Sequence, residues 1–198
     1  MGFYTGLSVY RSFVSQTARI RAERLAFARL LANLINTKDK HLVYMDETTY
    51  STVQSKAKSW SFRSTPVLHP KNNRQMRVTV FGACGPALVG GLVVKLAPST
   101  NSVDYCSFLL QVKEAIKPAF RNVKLIMCQD NASAHTSRVS KAFAASEFHT
   151  LNIPVMSCEF NSIEKIWHAT KTYYNKRLMS AAGEVDELRF RQLVLESL

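Results

Sequence analysis

Three carboxylates stand where a cation-binding site would need them. Asp46 closes the apolar run Leu42-Val43-Tyr44-Met45, Asp130 follows the apolar segment 123–128, and Glu164 opens an amphipathic stretch. Acids are scarce around them. Between His41 and Ala169 the carboxylates are Asp46, Glu47, Asp104, Glu114, Asp130, Glu147, Glu159 and Glu164, in a chain of net charge +12. Two acids at the ends of buried strands and a third on a following helix suit phosphodiester chemistry, in which divalent ions stabilise the attacking and the leaving oxygen. Taken singly, each acid also has a structural explanation. Asp46 and Asp130-Asn131 could start turns, and Asn161-Ser162-Ile163-Glu164 has the spacing of a helix capping box.

The elements expected to position these acids follow from hydrophobic periodicity. Residues 20–35 read as an amphipathic helix, with Arg24, Phe27, Leu31, Leu34 and Ile35 at helical spacing and Arg21 and Arg29 outward. Strands are expected at 42–45, at 76–81 with Val78 and Val80 alternating against Arg77 and Thr79, and at 88–96, where Gly90-Gly91 suggests a bulge. Residues 51–70 suit an exposed strand anchored by Trp60 and Phe62. Tyr105, Phe108, Leu109, Val112 and Ile116 predict a helix that starts at Ser102 or Asp104 and stops at Pro118. A strand at 123–128, a helix at 137–146 capped by Ser133 or Thr136, a strand at 149–153, and helices at 162–176 and 185–195 complete the order. Strands followed by alternating helix and strand predict one mixed α/β sheet with helices on its faces.

Length and composition fit one domain with a full core. The basic excess points to a polyanionic partner, since clustered Lys and Arg release counterions on meeting phosphates. No apolar stretch reaches the roughly 18 residues that span a bilayer. Cys84, Cys106, Cys128 and Cys158 lack the paired spacing of a zinc module and read as buried free thiols in a reducing compartment. Residues 1–21 carry Arg11, Arg19 and Arg21 with hydroxyl residues and no acid, a composition shared by organelle transit peptides and basic linkers.

Three segments together resemble a known family: Tyr44-Met45-Asp46-Glu47-Thr48, Gln129-Asp130-Asn131-Ala132-Ser133-Ala134-His135, and Ser157-Cys158-Glu159-Phe160-Asn161-Ser162-Ile163-Glu164-Lys165-Ile166-Trp167. They are similar to the DDE catalytic domain of mariner-type transposases and related insertion-sequence transposases. In that family the first Asp ends the opening strand, the second lies in an Asp-Asn…His motif, and the third acid lies in Ser-Pro-Asp-x-Asn-Pro-Ile-Glu-x-x-Trp. The 33 residues between Asp130 and Glu164 are close to the family's spacing. Cys158 and Ser162 replace the motif's two prolines, and Glu159 its Asp. The resemblance runs from about Arg24 to Leu193.

The resemblance implies a ribonuclease H-like fold in which the first and fourth strands are neighbours. It also implies that Asp46, Asp130 and Glu164 are catalytic and hold Mg²⁺ or Mn²⁺. Three converging anions repel by about 4 kcal/mol per close pair at an effective dielectric of 20, and oxygen ligands favour those ions over zinc. The implied activity is DNA strand cleavage and strand transfer on transposon ends and target DNA, with a homodimer as one possible assembly. Asn131 and His135 are candidate supporting residues. Arg63, Lys71, Arg74, Lys165 and Lys171 are candidate contacts to nucleic acid, against an ordinary solvated face. Trp167 reads as core, and Glu47 and Glu159 are expected to matter less than the matched acids.

The expected organisation is a basic helical linker over 1–40 and the catalytic domain over 41–198. The family's helix-turn-helix region would precede the domain, and only about forty residues stand there, which fits an alternative: a truncated or domesticated remnant that binds nucleic acid without mobilising it. A nuclease acting on RNA or hybrids is a third reading. The expected location is the nucleus in a eukaryote or the cytoplasm in a bacterium, with organelle targeting a further option.

Overall fold

The computed structural model describes residues 17–38, 41–52, 76–132, 135, 137–180 and 185–198. Expectations for Trp60, Phe62, Arg63, Lys71, Arg74, Ser133 and Thr136 lie outside these residues. Helix α1 (Ala18–Lys38) precedes strands β1 (Leu42–Ser51), β2 (Arg77–Cys84) and β3 (Leu92–Ala97), followed by α2 (Ser102–Glu114), β4 (Ile126–Gln129), α3 (Arg138–Glu147), β5 (His149–Asn152), α4 (Ile163–Ser180) and α5 (Glu187–Ser197). The sheet runs β3-β2-β1-β4-β5. β1 to β3 pair antiparallel, while β4 lies parallel to β1 and β5 parallel to β4. The first and fourth strands are neighbours, as the resemblance implies.

Alternation along β1 assigns its side chains to two layers. Val43 and Met45 join Phe81, Tyr105, Phe108, Leu109, Val112 and Met127 in a core that includes Ala144 of α3. On the other face Tyr50 packs with Val78, Val80, Ile163, Trp167, Tyr174, Phe190 and Leu193, beneath α4 and α5. The second layer explains why β2 does not alternate: Thr79 is buried like Val78 and Val80, and within the strand only Arg77 is exposed. A strand covered on both faces reads as continuous burial. α1 is docked on the same sheet, its Phe27 and Leu31 packing against Leu42, Cys128 and Ile153. Ile35, expected on the buried stripe, is exposed.

Other differences have local causes. The strand expected at 88–96 begins at Leu92, because Gly90 and Gly91 take φ of 69° and 79° and form the turn entering β3 rather than a bulge. α2 is capped by Asn101, whose side chain accepts from the Asp104 backbone N–H at 2.8 Å. It ends at Glu114, before Pro118, which instead starts a short 3-10 turn. Ser137 caps α3 by accepting from the Ser140 N–H at 3.1 Å. All four cysteines are free thiols, but only Cys84 and Cys128 are buried as expected, while Cys106 is partly exposed and Cys158 exposed. Among the described residues no helix is long and apolar enough to cross a membrane.

Candidate active site

Asp46 lies inside β1, not at its end as expected. The ladder with β2 continues to Ser51↔Arg77, whereas the parallel ladder with β4 stops at Tyr44↔Cys128. From Met45 onward β1 therefore loses its neighbour on one side while keeping it on the other. Continuing the register by two residues sets Asp46 level with Asp130, just past the last paired residues. Asp130 leaves the strand in a turn of its own making, its Oδ1 accepting the Ala132 N–H at 2.9 Å. Its side chain is 53% exposed and open to solvent.

Glu164 enters from the first turn of α4. The capping box suggested by Asn161 is not closed, because the Asn161 Oδ1 is buried and accepts no hydrogen bond. The Asn161 amide donates instead to the Met45 carbonyl at 3.0 Å, tying the entry of α4 to β1 one residue before Asp46. The neighbouring acid, Glu159, is engaged elsewhere by an ion pair with Arg24 of α1.

Asp46 is the acid that registers its surroundings. Burial, followed by the negative charges of Glu164, Glu47 and Asp130, raises the Asp46 carboxyl to about 7 against a lowering backbone hydrogen bond from Glu47. The Trp167 indole Nε1–H also donates to Asp46 Oδ2 at 3.1 Å. Nothing in this set supplies a compensating positive charge to Asp46. Oxygen ligands from Asp46, Asp130 and Glu164 would suit a hard divalent cation, although their ligand atoms do not all lie within 4.8 Å of one another.

His135, which the sequence leaves open to substrate contact, support of Asp130 or an ordinary buried place, lies between Asp130 and Glu47. It is 1% exposed, with Nδ1 3.1 Å from Asp130 Oδ1 and Nε2 2.5 Å from Glu47 Oε1. Burial alone would lower its pKa, but the hydrogen bonds and charge of Asp130 and Glu47 raise it to about 10. The same His135 hydrogen bond holds Asp130 below the ordinary carboxylate range. Tyr105 stacks on the His135 ring at 4.6 Å between centroids and donates to Gln129 Oε1 at 2.7 Å.

Glu47, Asp130 and His135 place ligand atoms within 4.8 Å of one another. Both carboxylates favour the protonated histidine, which offsets one of their two charges, so this group reads as an ion-paired cluster. Sequence reasoning ranks Glu47 as secondary, and its one signal is its place a residue after Asp46. Strand alternation sends it to the opposite layer, under α2 and α3. His135→Ala, which leaves Glu47 buried without its cation, is expected to cost about 3 to 5 kcal/mol. Denaturant melts would measure this, and an unchanged midpoint would contradict the buried pairing.

Asn131 donates from its side-chain amide to the Ile153 carbonyl at 2.9 Å, fixing the loop after Asp130 to the end of β5. Lys165 is exposed and Lys171 partly so. Six residues apart on α4, they lie about 120° apart around the helix and do not form a single stripe.

A family model described as DDE superfamily endonuclease matches residues 41–188. The chain belongs to that family. Three solved structures show similar folds. The Mos1 mariner paired end complex with Mn aligns at TM-score 0.64 and 15% identity, over 100% of this chain and 64% of that chain. The catalytic domain of Mos1 mariner transposase aligns at 0.58 and 14%, over 88% and 78%. The simian T-cell lymphotropic virus intasome aligns at 0.52 and 11%, over 78% and 47%. The mixed five-stranded sheet is accordingly the ribonuclease H-like fold that the resemblance implied. This DDE chain spans less than two thirds, 64%, of the Mos1 transposase chain it matches. A search of curated proteins found no match by sequence.

Proposed function

We propose that this chain cuts DNA phosphodiester bonds and transfers the resulting 3′-hydroxyl end to a second site, using Asp46, Asp130 and Glu164 to hold Mg²⁺ or Mn²⁺. The reading is supported by the placement of Asp46 on β1, Asp130 just past β4 and Glu164 in the first turn of α4, and by the raised Asp46 carboxyl, which burial and then the charges of Glu164, Glu47 and Asp130 push up. Family membership and the Mn-containing and Mg-containing Mos1 structures support it.

When bound, the metal would lower the pKa of the attacking oxygen and neutralise charge on the phosphate. The chain's own residues divide the remaining work. The half-exposed Asp130 is open to ligand and solvent, and His135 and Glu47 fix its direction from behind. Asn131 anchors the loop that follows. Arg63, Lys71, Arg74, Lys165 and Lys171 belong to the same reading as contacts to the DNA backbone. Pairing of two copies on two DNA ends is a further part of the proposal, supported by the paired-end assembly of Mos1.

Supercoiled plasmid is expected to become nicked in Mg²⁺ or Mn²⁺ and to stay intact in chelator. Equal cutting in chelator would contradict a metal site. Binding to unrelated duplexes should weaken steeply with salt, by about a thousandfold between 50 and 200 mM if six or more phosphates are neutralised. A salt-insensitive preference for one duplex would instead indicate base readout.

A further inference from the structure

Trp167 does more than fill the core. It lies three residues after Glu164 on α4, so the helix turns both side chains toward the same side. Its ring is buried with Ile163, Val78 and Val80, while its Nε1–H reaches Asp46 Oδ2 at 3.1 Å. Gly82 makes room for that pose. It pairs with Asp46 across the β1–β2 ladder, and a Cβ built on it would lie 2.3 Å from Trp167 Cη2 and 2.5 Å from Cζ2. One indole is thus wedged against β2, carried by the helix of the third acid, and hydrogen-bonded to the first.

We infer that Trp167 is a positioning residue for metal binding, holding one oxygen of Asp46 so that the other faces the cation and setting the register of α4 that delivers Glu164. This rests on the proposed metal site. A half-buried carboxylate without that donor would be free to rotate about its terminal torsion, which is broad and roughly two-fold. Partners that orient a ligand in this way typically govern metal affinity about 10-fold to 100-fold. The glycine acts through the indole: any side chain at position 82 displaces the ring and, with it, the N–H.

The test is Mn²⁺ binding by the full chain, followed by the paramagnetic signal of the free ion, with melting in chelator recorded alongside. Trp167→Phe keeps an aromatic ring and removes the donor, and is expected to weaken Mn²⁺ binding about tenfold while melting near the parent. Gly82→Ala is expected to weaken binding comparably. In the Trp167→Phe background, where the indole's outer edge is gone, Gly82→Ala should add little, because both changes act on one contact.

Trp167→Phe binding Mn²⁺ within about twofold of the parent would overturn the inference, even if its melting point fell. Full additivity of the two substitutions would overturn it as well. A parent whose Mn²⁺ binding is absent or unaffected by Asp46→Asn would overturn the metal site itself. Loss in Asp46→Asn with normal binding in Trp167→Phe would leave that site standing and remove only the role given to Trp167.

Discussion

Asp46→Asn, Asp130→Asn and Glu164→Gln are each expected to lower metal-dependent plasmid nicking by about a thousandfold or more. Every substitution keeps the shape of the side chain and removes a charge aimed at the metal, and preorganised charge at the reacting phosphate is commonly worth that much. Glu159→Gln serves as the control, since Glu159 is held by Arg24. The rate should be measured in Mn²⁺ and in Mg²⁺ with equal amounts of folded protein. Parent-like nicking in the three variants would remove the assignment. A greater loss at Glu159 than at Glu164 would move the third acid to the turn before α4.

The second large effect concerns stability without metal. Asp46 sits near 7 in the folded protein against an ordinary value of 3.8. A carboxyl raised in this direction binds its proton more tightly when folded. Its penalty is therefore absent below about pH 4, grows as the pH rises to about 7 and stays constant above. The shift corresponds to on the order of 4 kcal/mol at pH 8. Asp46→Asn in chelator should consequently gain stability over the parent at pH 8 and gain less at pH 5.

His135 also makes the parent pH-sensitive, its contribution being full below about 6.5 and lost as the pH climbs through about 10. That slope is common to both proteins, so their difference isolates Asp46. Denaturant melts at the two pH values would show it. A variant less stable than the parent at pH 8, or an equal difference at both pH values, would contradict the raised Asp46 carboxyl that burial and the neighbouring acids produce.

How much of this is readable from the sequence depends on where each residue's partners lie along the chain. α2 is legible because Tyr105, Phe108, Leu109 and Val112 are mutual neighbours on one helix face, and all four are buried. Asp46, Asp130 and Glu164 are legible as a set through the three motif segments and their spacing.

The length of β1 is not, because Asp46, Glu47, Thr48 and Thr49 look like the close of a strand. What keeps them extended is β2, whose pairing extends to Ser51↔Arg77. Thr79 reads as outward because alternation presumes one covered face, whereas α2 and α4 cover opposite faces of the sheet. The Glu47–His135 bond joins residues 88 apart, and the Trp167–Asp46 bond residues 121 apart. Composition gives no hint of either. Both follow only once alternation in β1 has sent Asp46 and Glu47 to opposite layers.

The convergence of the three acids on one cation is tested most directly by thermal melting of the parent and Asp130→Asn, each in chelator and in saturating Mn²⁺. An ion that binds only the folded site at about a hundred times its Kd adds about 2.7 kcal/mol, which for a chain of this size is about 5 to 10 °C. The parent is expected to show that rise and Asp130→Asn a smaller one, with Asp130→Asn melting below the parent in chelator because it loses the charge paired with His135. A parent that gains nothing from Mn²⁺, or an Asp130→Asn that gains as much as the parent, would contradict the convergence and return Asp130 to its turn.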